Sequence, residues 1–310
     1  MTSNSPGSTG HPLSCLAKRI KRFTRLLVIT LTGVVVSLVC LDLILAWSFT
    51  SRLIHPGCQE PSPIAGLAAP EEHWVESQDG LSIRMWYYPS QNGAAILTLG
   101  GTNGSLGAQT FPVKALSETG YGILQVDSRA CAVPAAAVTL GGNELLDAEA
   151  ALAFLSTNPN INPNRIGVMG FSLGGATAIR LAARHPEIRA IVRDGGFSNL
   201  GEMLSPAKSD PFFQGIFKKT ILILFQWRTD LDPWTVSPID EVATISPRPV
   251  LLIYGEAEAE DGLAQYEAAR SPKDLWIVPD SSHGKNYITA PEEYEQRLLS
   301  FFGQTLTQNE

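Results

Sequence analysis

Hydrophobic positions follow three successive regimes along the chain. Residues 1–25 are polar and carry Lys18, Arg19, Lys21, Arg22 and Arg25, after which Leu26 to Phe49 form an almost unbroken apolar run. About 20 consecutive apolar residues cross a bilayer as a helix, so 26–49 reads as one transmembrane helix. A signal peptide has a shorter apolar core and a small-x-small site; this run ends in Leu45-Ala46-Trp47-Ser48, which predicts an uncleaved anchor. Pro56, Gly57, Pro61, Pro63 and Gly66 then mark 50–70 as a linker.

A folded domain is expected over 71–310. His73 to Glu76 and Ser82 to Tyr88 alternate around the turn at Asp79-Gly80, which predicts an antiparallel edge. From Ala94 the pattern changes to short, continuously apolar strands separated by helices, the mark of a parallel sheet covered on both faces. The strands are expected at 95–99, 122–126, 165–169, 188–192, 250–254 and 275–278, with helices at 112–119, 144–155 and 293–302. Between Phe197 and Pro247 the alternation lapses, so 198–247 is expected to form a cap-like helical insertion. Its segment from Phe212 to Trp227 is too short and too charged for a second span; it suits a helix packed over the sheet, or a cap whose apolar face borders the site or touches lipid. The fold class is therefore α/β, a mostly parallel doubly wound sheet with an antiparallel N-terminal edge and a small helical cap, preceded by one transmembrane helix.

Charge refines the topology. Five basic residues precede the span and Arg52 alone closely follows it, so residues 1–25 are expected as a cytoplasmic basic tail and the folded domain outside the cell membrane. A net charge of −7 argues against nucleic acid as a partner. Of four cysteines, only Cys58 and Cys131 could meet outside, as a disulfide or as two unpaired thiols. No Cys-x-x-Cys or Cys/His cluster suggests a metal site, and neither metal nor organic cofactor is expected.

Candidate chemistry centres on Gly170-Phe171-Ser172-Leu173-Gly174, which sits between an apolar strand and an Ala-rich helix. That context suits a nucleophile elbow, with Ser172 as nucleophile. A serine hydroxyl needs a base, and the base a carboxylate to set its tautomer. Of five histidines only His283 follows a strand at the carboxyl edge of the sheet. The acid is expected in Glu256-Ala257-Glu258-Ala259-Glu260-Asp261, after the preceding strand; Glu258 is favoured, Asp261 is the alternative, and Glu260 and Asp194 stand behind them. An oxyanion hole would use the backbone N–H of Leu173 and that of Thr102, in Gly100-Gly101-Thr102-Asn103-Gly104, or of its neighbour.

Taken together, these residues resemble the α/β-hydrolase superfamily over nearly all of Glu71 to Phe302. The order Ser172, Glu258, His283 matches nucleophile, acid, base. The chain looks most like the esterase and serine-peptidase-like branch related to prolyl oligopeptidase and dienelactone hydrolase domains, through Gln125-Val126-Asp127-Ser128-Arg129, Asp147 and Arg248-Pro249-Val250-Leu251-Leu252-Ile253-Tyr254-Gly255. It departs from relatives in carrying Gly100-Gly101 for His-Gly, Ala130-Cys131-Ala132 after Arg129, and Glu for the usual Asp. The resemblance implies a serine hydrolase acting on a small-molecule or lipid-like carboxylic ester. Peptidase or acyltransferase chemistry would use the same triad, and a non-catalytic hydrolase-like binding module is the rival from another class.

Overall fold

The strand segments are continuously apolar because both faces of the sheet are covered, and the first two alternate because they form its edge. A computed structural model of the chain describes residues 12–58, 62, 64–102 and 112–306. In chain order the elements are α1 (Pro12–Ile54), β1 (Glu71–Glu76), β2 (Ser82–Tyr88), β3 (Ala95–Leu99), α2 (Val113–Glu118), β4 (Gly122–Val126), α3 (Glu144–Thr157), β5 (Ile166–Phe171), α4 (Leu173–Arg184) and β6 (Ile188–Asp194). They continue with α5 (Leu200–Leu204), α6 (Phe212–Thr229), α7 (Pro238–Glu241), β7 (Val250–Gly255), α8 (Ala259–Ala268), β8 (Lys273–Val278), α9 (Asn286–Thr289) and α10 (Pro291–Leu306).

The strands form one sheet in the order β1-β2-β4-β3-β5-β6-β7-β8. β1 and β2 pair antiparallel, as do β2 and β4; all other pairs are parallel. The order reverses at β3, which lies between β4 and β5, so the segments leaving β3 and β5 diverge at the carboxyl edge and open a crevice there.

Each face has its own apolar layer. Leu152 and Leu155 of α3, Ala178 to Ala182 of α4 and the inward residues Leu97, Val168 and Leu252 make one. α2 and α10 make the other, where Tyr294, Leu298, Phe302 and Leu306 recur every fourth residue and meet Ile96, Met169 and Val192. α4 is buried along almost its whole length, which explains its alanines: only small side chains fit a helix covered on the sheet side and the cap side alike.

The N-terminal region departs from the expected linker. α1 continues to Ile54, Thr50 and Ile54 are buried, Cys58 is bonded to Cys131, and Ile64 and Leu67 pack against the α2/α10 layer. Residues 50–58, and Ile64 and Leu67, are thus tied to the domain, because the end of the apolar run has the cap to bury against. Pro61 and Pro63, and residues 1–11 of the basic tail, lie outside the described residues. α1 includes one segment, Lys18–Ile54, long and apolar enough to cross a membrane.

The cap-like insertion consists of α5, α6, α7 and short 3-10 turns. α6 packs against α1, and both pack against the domain. Ile221 and Phe225 are buried in a third apolar cluster with Ala46 and Ile54 of α1, Leu200 and Leu204 of α5, and Leu173 at the start of α4.

Candidate active site

Ser172 joins β5 to α4 with φ 56° and ψ −118°, a conformation rarely adopted by a residue with a side chain. The turn is tight enough that a Cβ on Gly170 would overlap the Gly174 carbonyl, and one on Gly174 would overlap the Leu99 carbonyl. The two glycines of the pattern are therefore required by backbone contact, as is usual for a strained elbow. The Ser172 N–H is anchored on the Asp194 carbonyl at 2.9 Å.

The structure brings Ser172, His283 and Glu258 into one chain of hydrogen bonds. His283 Nε2 lies 2.9 Å from Ser172 Oγ, and Nδ1 lies 2.8 Å from Glu258 Oε1. Both contacts are satisfied when Nδ1–H donates to the carboxylate and Nε2 accepts from the hydroxyl, the tautomer a general base needs. The Glu258 carboxylate is the main cause holding the His283 pKa above its ordinary value; burial opposes it, and the Asp194 charge adds to it. The Phe171 ring lies against the imidazole, with centroids 5.0 Å apart.

A short turn sets which acidic side chain reaches His283. After β7 the chain makes a 3-10 turn over Glu256–Glu258, which separates the four acidic side chains by direction. Glu258 reaches His283. Asp261 instead accepts from Ser198 Oγ at 3.1 Å, and Glu256 accepts the Asp280 N–H at 2.9 Å, tying this turn to the histidine loop. Glu260 is exposed.

Asp194, at the end of β6, makes no hydrogen bond to the imidazole. It is buried and accepts from Asn286 Nδ2 and Tyr294 Oη, each at 2.7 Å. Burial pushes its pKa up to about 6, against the two donors; the Glu258 charge adds to the rise and the His283 charge opposes it. Nothing in the sequence singles out Asn286 and Tyr294, since each is an ordinary helix residue there. The only signal was an aspartate at the end of an apolar strand.

The Leu173 N–H begins α4, where it lacks an intrahelical acceptor, and no hydrogen bond from it is found among the described residues. Thr102 lies half-buried in the turn after β3. A methyl on Gly101 would sit 3.0 Å from the Phe171 ring and 3.7 Å from Ser172 Cβ, which measures how closely this loop approaches the elbow. Asn103 and Gly104 lie outside the described residues. Behind the loop, Gly100, Gly101, Leu173 and Gly174 share a cavity of about 30 Å³ with Asp127, Glu144 and Asp147. It has room for water but not for an acyl chain.

The loop after Arg129 is held by charge and by the disulfide. Asp127 accepts from Arg84 at 2.8 Å, and Arg129 pairs with Asp79 and, at 3.2 Å, with Asp147. Burial raises the Asp147 pKa to about 7 despite the opposing Arg129 charge. Cys58 and Cys131 approach Asp127 in a grouping that could suggest a metal, but their sulfurs are bonded to each other and are not free thiolates.

Fold and site thus define a class by geometry: a glycine-bracketed serine, a histidine and an acid hydrogen-bonded in series at the carboxyl edge of a mostly parallel sheet. Comparison with known proteins supports the fold class. Residues 148–214, which include the elbow, match the family described as BAAT / acyl-CoA thioester hydrolase C terminal. The chain is 31% identical over 297 residues to the uncharacterized protein Rv2307c of Mycobacterium tuberculosis, covering 90% of this chain and 94% of that one. It is 25% identical over 278 residues to the α/β hydrolase domain-containing protein WAV2 of Arabidopsis thaliana, covering 82% and 87%. The structure of the Pyrococcus furiosus esterase Pf2001 shares the fold with a TM-score of 0.61 at 22% identity, over 80% of this chain and 98% of that one. The chain belongs to the α/β-hydrolase superfamily.

Proposed function

We propose that this protein is a single-pass membrane-anchored serine hydrolase that cleaves carboxylic esters through an acyl-enzyme on Ser172. The observation that carries this reading is His283, bridging the Ser172 hydroxyl and the Glu258 carboxylate with both ring nitrogens.

In this mechanism Ser172 Oγ attacks the ester carbonyl carbon while His283 Nε2 takes the hydroxyl proton. The charge developing on the carbonyl oxygen is met by the N–H groups of Leu173 and Thr102. The tetrahedral adduct collapses, the C–O bond to the leaving alkoxide breaks, and His283 returns the proton to it. Water then repeats the sequence on the acyl-enzyme, giving its proton to His283, and release of the carboxylic acid restores the serine. Glu258 keeps the imidazole in register and stabilises it when charged. The matched family description favours including a thioester among the substrates tested, because the same steps cleave a C–S bond.

For topology, the reading places α1 across the cell membrane with the basic tail inside and the hydrolase domain outside. The basic cluster before the apolar run supports this. The Cys58–Cys131 disulfide supports it too, since such bonds persist in oxidising compartments.

The test is fluorophosphonate labelling with hydrolysis of a short p-nitrophenyl ester and a short acyl-CoA. The parent protein should label and turn over substrate, and Ser172→Ala should do neither. A Ser172→Ala protein that hydrolyses the ester as fast as the parent would sink the proposal. Topology is checked by adding protease to intact cells: protection of the domain until lysis would reverse the orientation.

A further inference from the structure

Large apolar residues exposed singly on a surface need no explanation, but a stripe of them does. On α6, Phe212 (75% exposed), Phe213 (71%), Ile216 (41%), Ile223 (55%) and Trp227 (71%) are left uncovered by the chain. Positions 212, 216, 223 and 227 are separated by four, seven and four residues, which places them on one helical face. The opposite face holds the buried Ile221 and Phe225, so the helix is apolar on two sides and only one of them is satisfied by the domain.

What covers the outer stripe is indicated by what lies beside it. α6 docks on α1 at the far end of the apolar run. Of the span 26–49, about 20 residues from Leu26 fill the hydrocarbon core, to near Leu45, and leave the last turn in the interface; Thr220 donates to Asp42 inside the core limit at 2.6 Å. Asp42 is the acidic residue of the apolar run, and α6 supplies it with a partner. Just beyond, Trp47 and Trp227 rings stand 6.1 Å apart, Arg228 lies over the Trp47 ring at 4.2 Å, and its guanidinium donates to Ser51 Oγ at 2.7 Å. Tryptophan with arginine at this level is the composition of a bilayer interface. If α1 crosses the membrane, the outer stripe of α6 is continuous with lipid-facing α1 and has no water layer between them.

The same helix connects to the chemistry. Ile221 and Phe225 of α6, Ala46 and Ile54 of α1, and Leu173, the residue after the proposed nucleophile, belong to one apolar cluster. The lipid-facing stripe and the proposed oxyanion donor are therefore on opposite sides of a single helix layer.

We infer that α6 is a second membrane-seated element, lying in the interfacial layer of the leaflet that α1 exits, and that the enzyme takes its acyl ester from lipids of that leaflet. This rests on the proposed serine-hydrolase reading for its substrate class and on α1 as a span for its geometry. The partner is the bilayer itself, since the stripe adjoins surface that already faces it.

The experiment uses the full chain in phosphatidylcholine vesicles containing a phospholipid with a photoactivatable diazirine near its glycerol end. After irradiation, digestion and mass spectrometry locate lipid adducts. Adducts are expected on the α6 peptide around Phe212, Phe213 and Trp227 as well as on α1. The F213D/W227D variant should lose the α6 adducts and keep those on α1. Its rate on a long-chain ester in the bilayer, divided by its rate on a soluble short ester, should fall by at least about fivefold, and a melting curve like the parent's checks folding. Labelled α1 with unlabelled α6 overturns the inference. If α6 is labelled but the parent does not react with a fluorophosphonate, the membrane seat stands and the hydrolase reading falls, taking the lipid-ester substrate with it.

Discussion

Replacing Glu258 by Gln keeps the size of the side chain and removes its charge. In the folded protein the carboxylate lies 2.8 Å from His283 Nδ1, so the two charge centres are about 4 Å apart once the imidazole is protonated in the transition state. At an effective dielectric of about 20, that attraction is worth about 4 kcal/mol, or about a thousandfold in rate. Asp194 does not take over, because Asn286 and Tyr294 hold its two oxygens away from the ring. The expected result is a fall of about a thousandfold in kcat/KM for a short p-nitrophenyl ester, with KM changed little. A second readout follows from the pKa. Glu258 is the largest cause of the raised His283 pKa, and activity needs the imidazole neutral, so the acid limb of the pH–rate profile should move to lower pH in E258Q. A variant within about threefold of the parent, with an unmoved acid limb, would refute the assignment; Asp194→Asn would then be the variant to measure.

Three further predictions concern the scaffold. Gly174→Ala places a Cβ into the Leu99 carbonyl and should cost more than about 4 kcal/mol, seen as loss of soluble folded protein or a large drop in Tm. Asp194 is buried with a pKa raised from 3.8 to about 6, so its folded form favours the proton. Its contribution to stability is complete below about pH 4 and lost as pH rises to about 6, by up to about 3 kcal/mol. Melting of the parent relative to Asp194→Asn across that range should show the decline and then a plateau; a flat difference contradicts it. Cys58 and Cys131 close a loop with a sequence separation of 73 residues, for which loss of the crosslink in a C58S/C131S double variant should cost about 4 kcal/mol. Denaturant unfolding with and without reductant checks this, since reductant should bring the parent to the variant's midpoint.

The chain's local pattern determined much of this protein. Strand positions were legible because burial on both faces leaves a continuous apolar run, and β2, β3 and β4 begin and end where that run does. Ser172 was legible because the elbow's sterics demand glycine at fixed offsets, a constraint within five residues. His283 could be chosen because few histidines compete and only one follows a late strand. The long apolar run announced itself by length alone.

Pairings between distant residues were decided only in three dimensions. Glu256, Glu258, Glu260 and Asp261 are equivalent in composition, and the 3-10 turn after β7 decides which points at the imidazole. Asp194 had the right place in sequence but is held by Tyr294 and Asn286, about a hundred residues away. Whether Cys58 and Cys131 pair depends on the chain after α1 folding back over β2 and β4, which no spacing encodes. Asp42 finds Thr220 across 178 residues of sequence, and α6 acquires two apolar duties because the cap lies against the end of α1. A hydrophobic pattern states that a face must be covered; the packing of the whole chain determines what covers it.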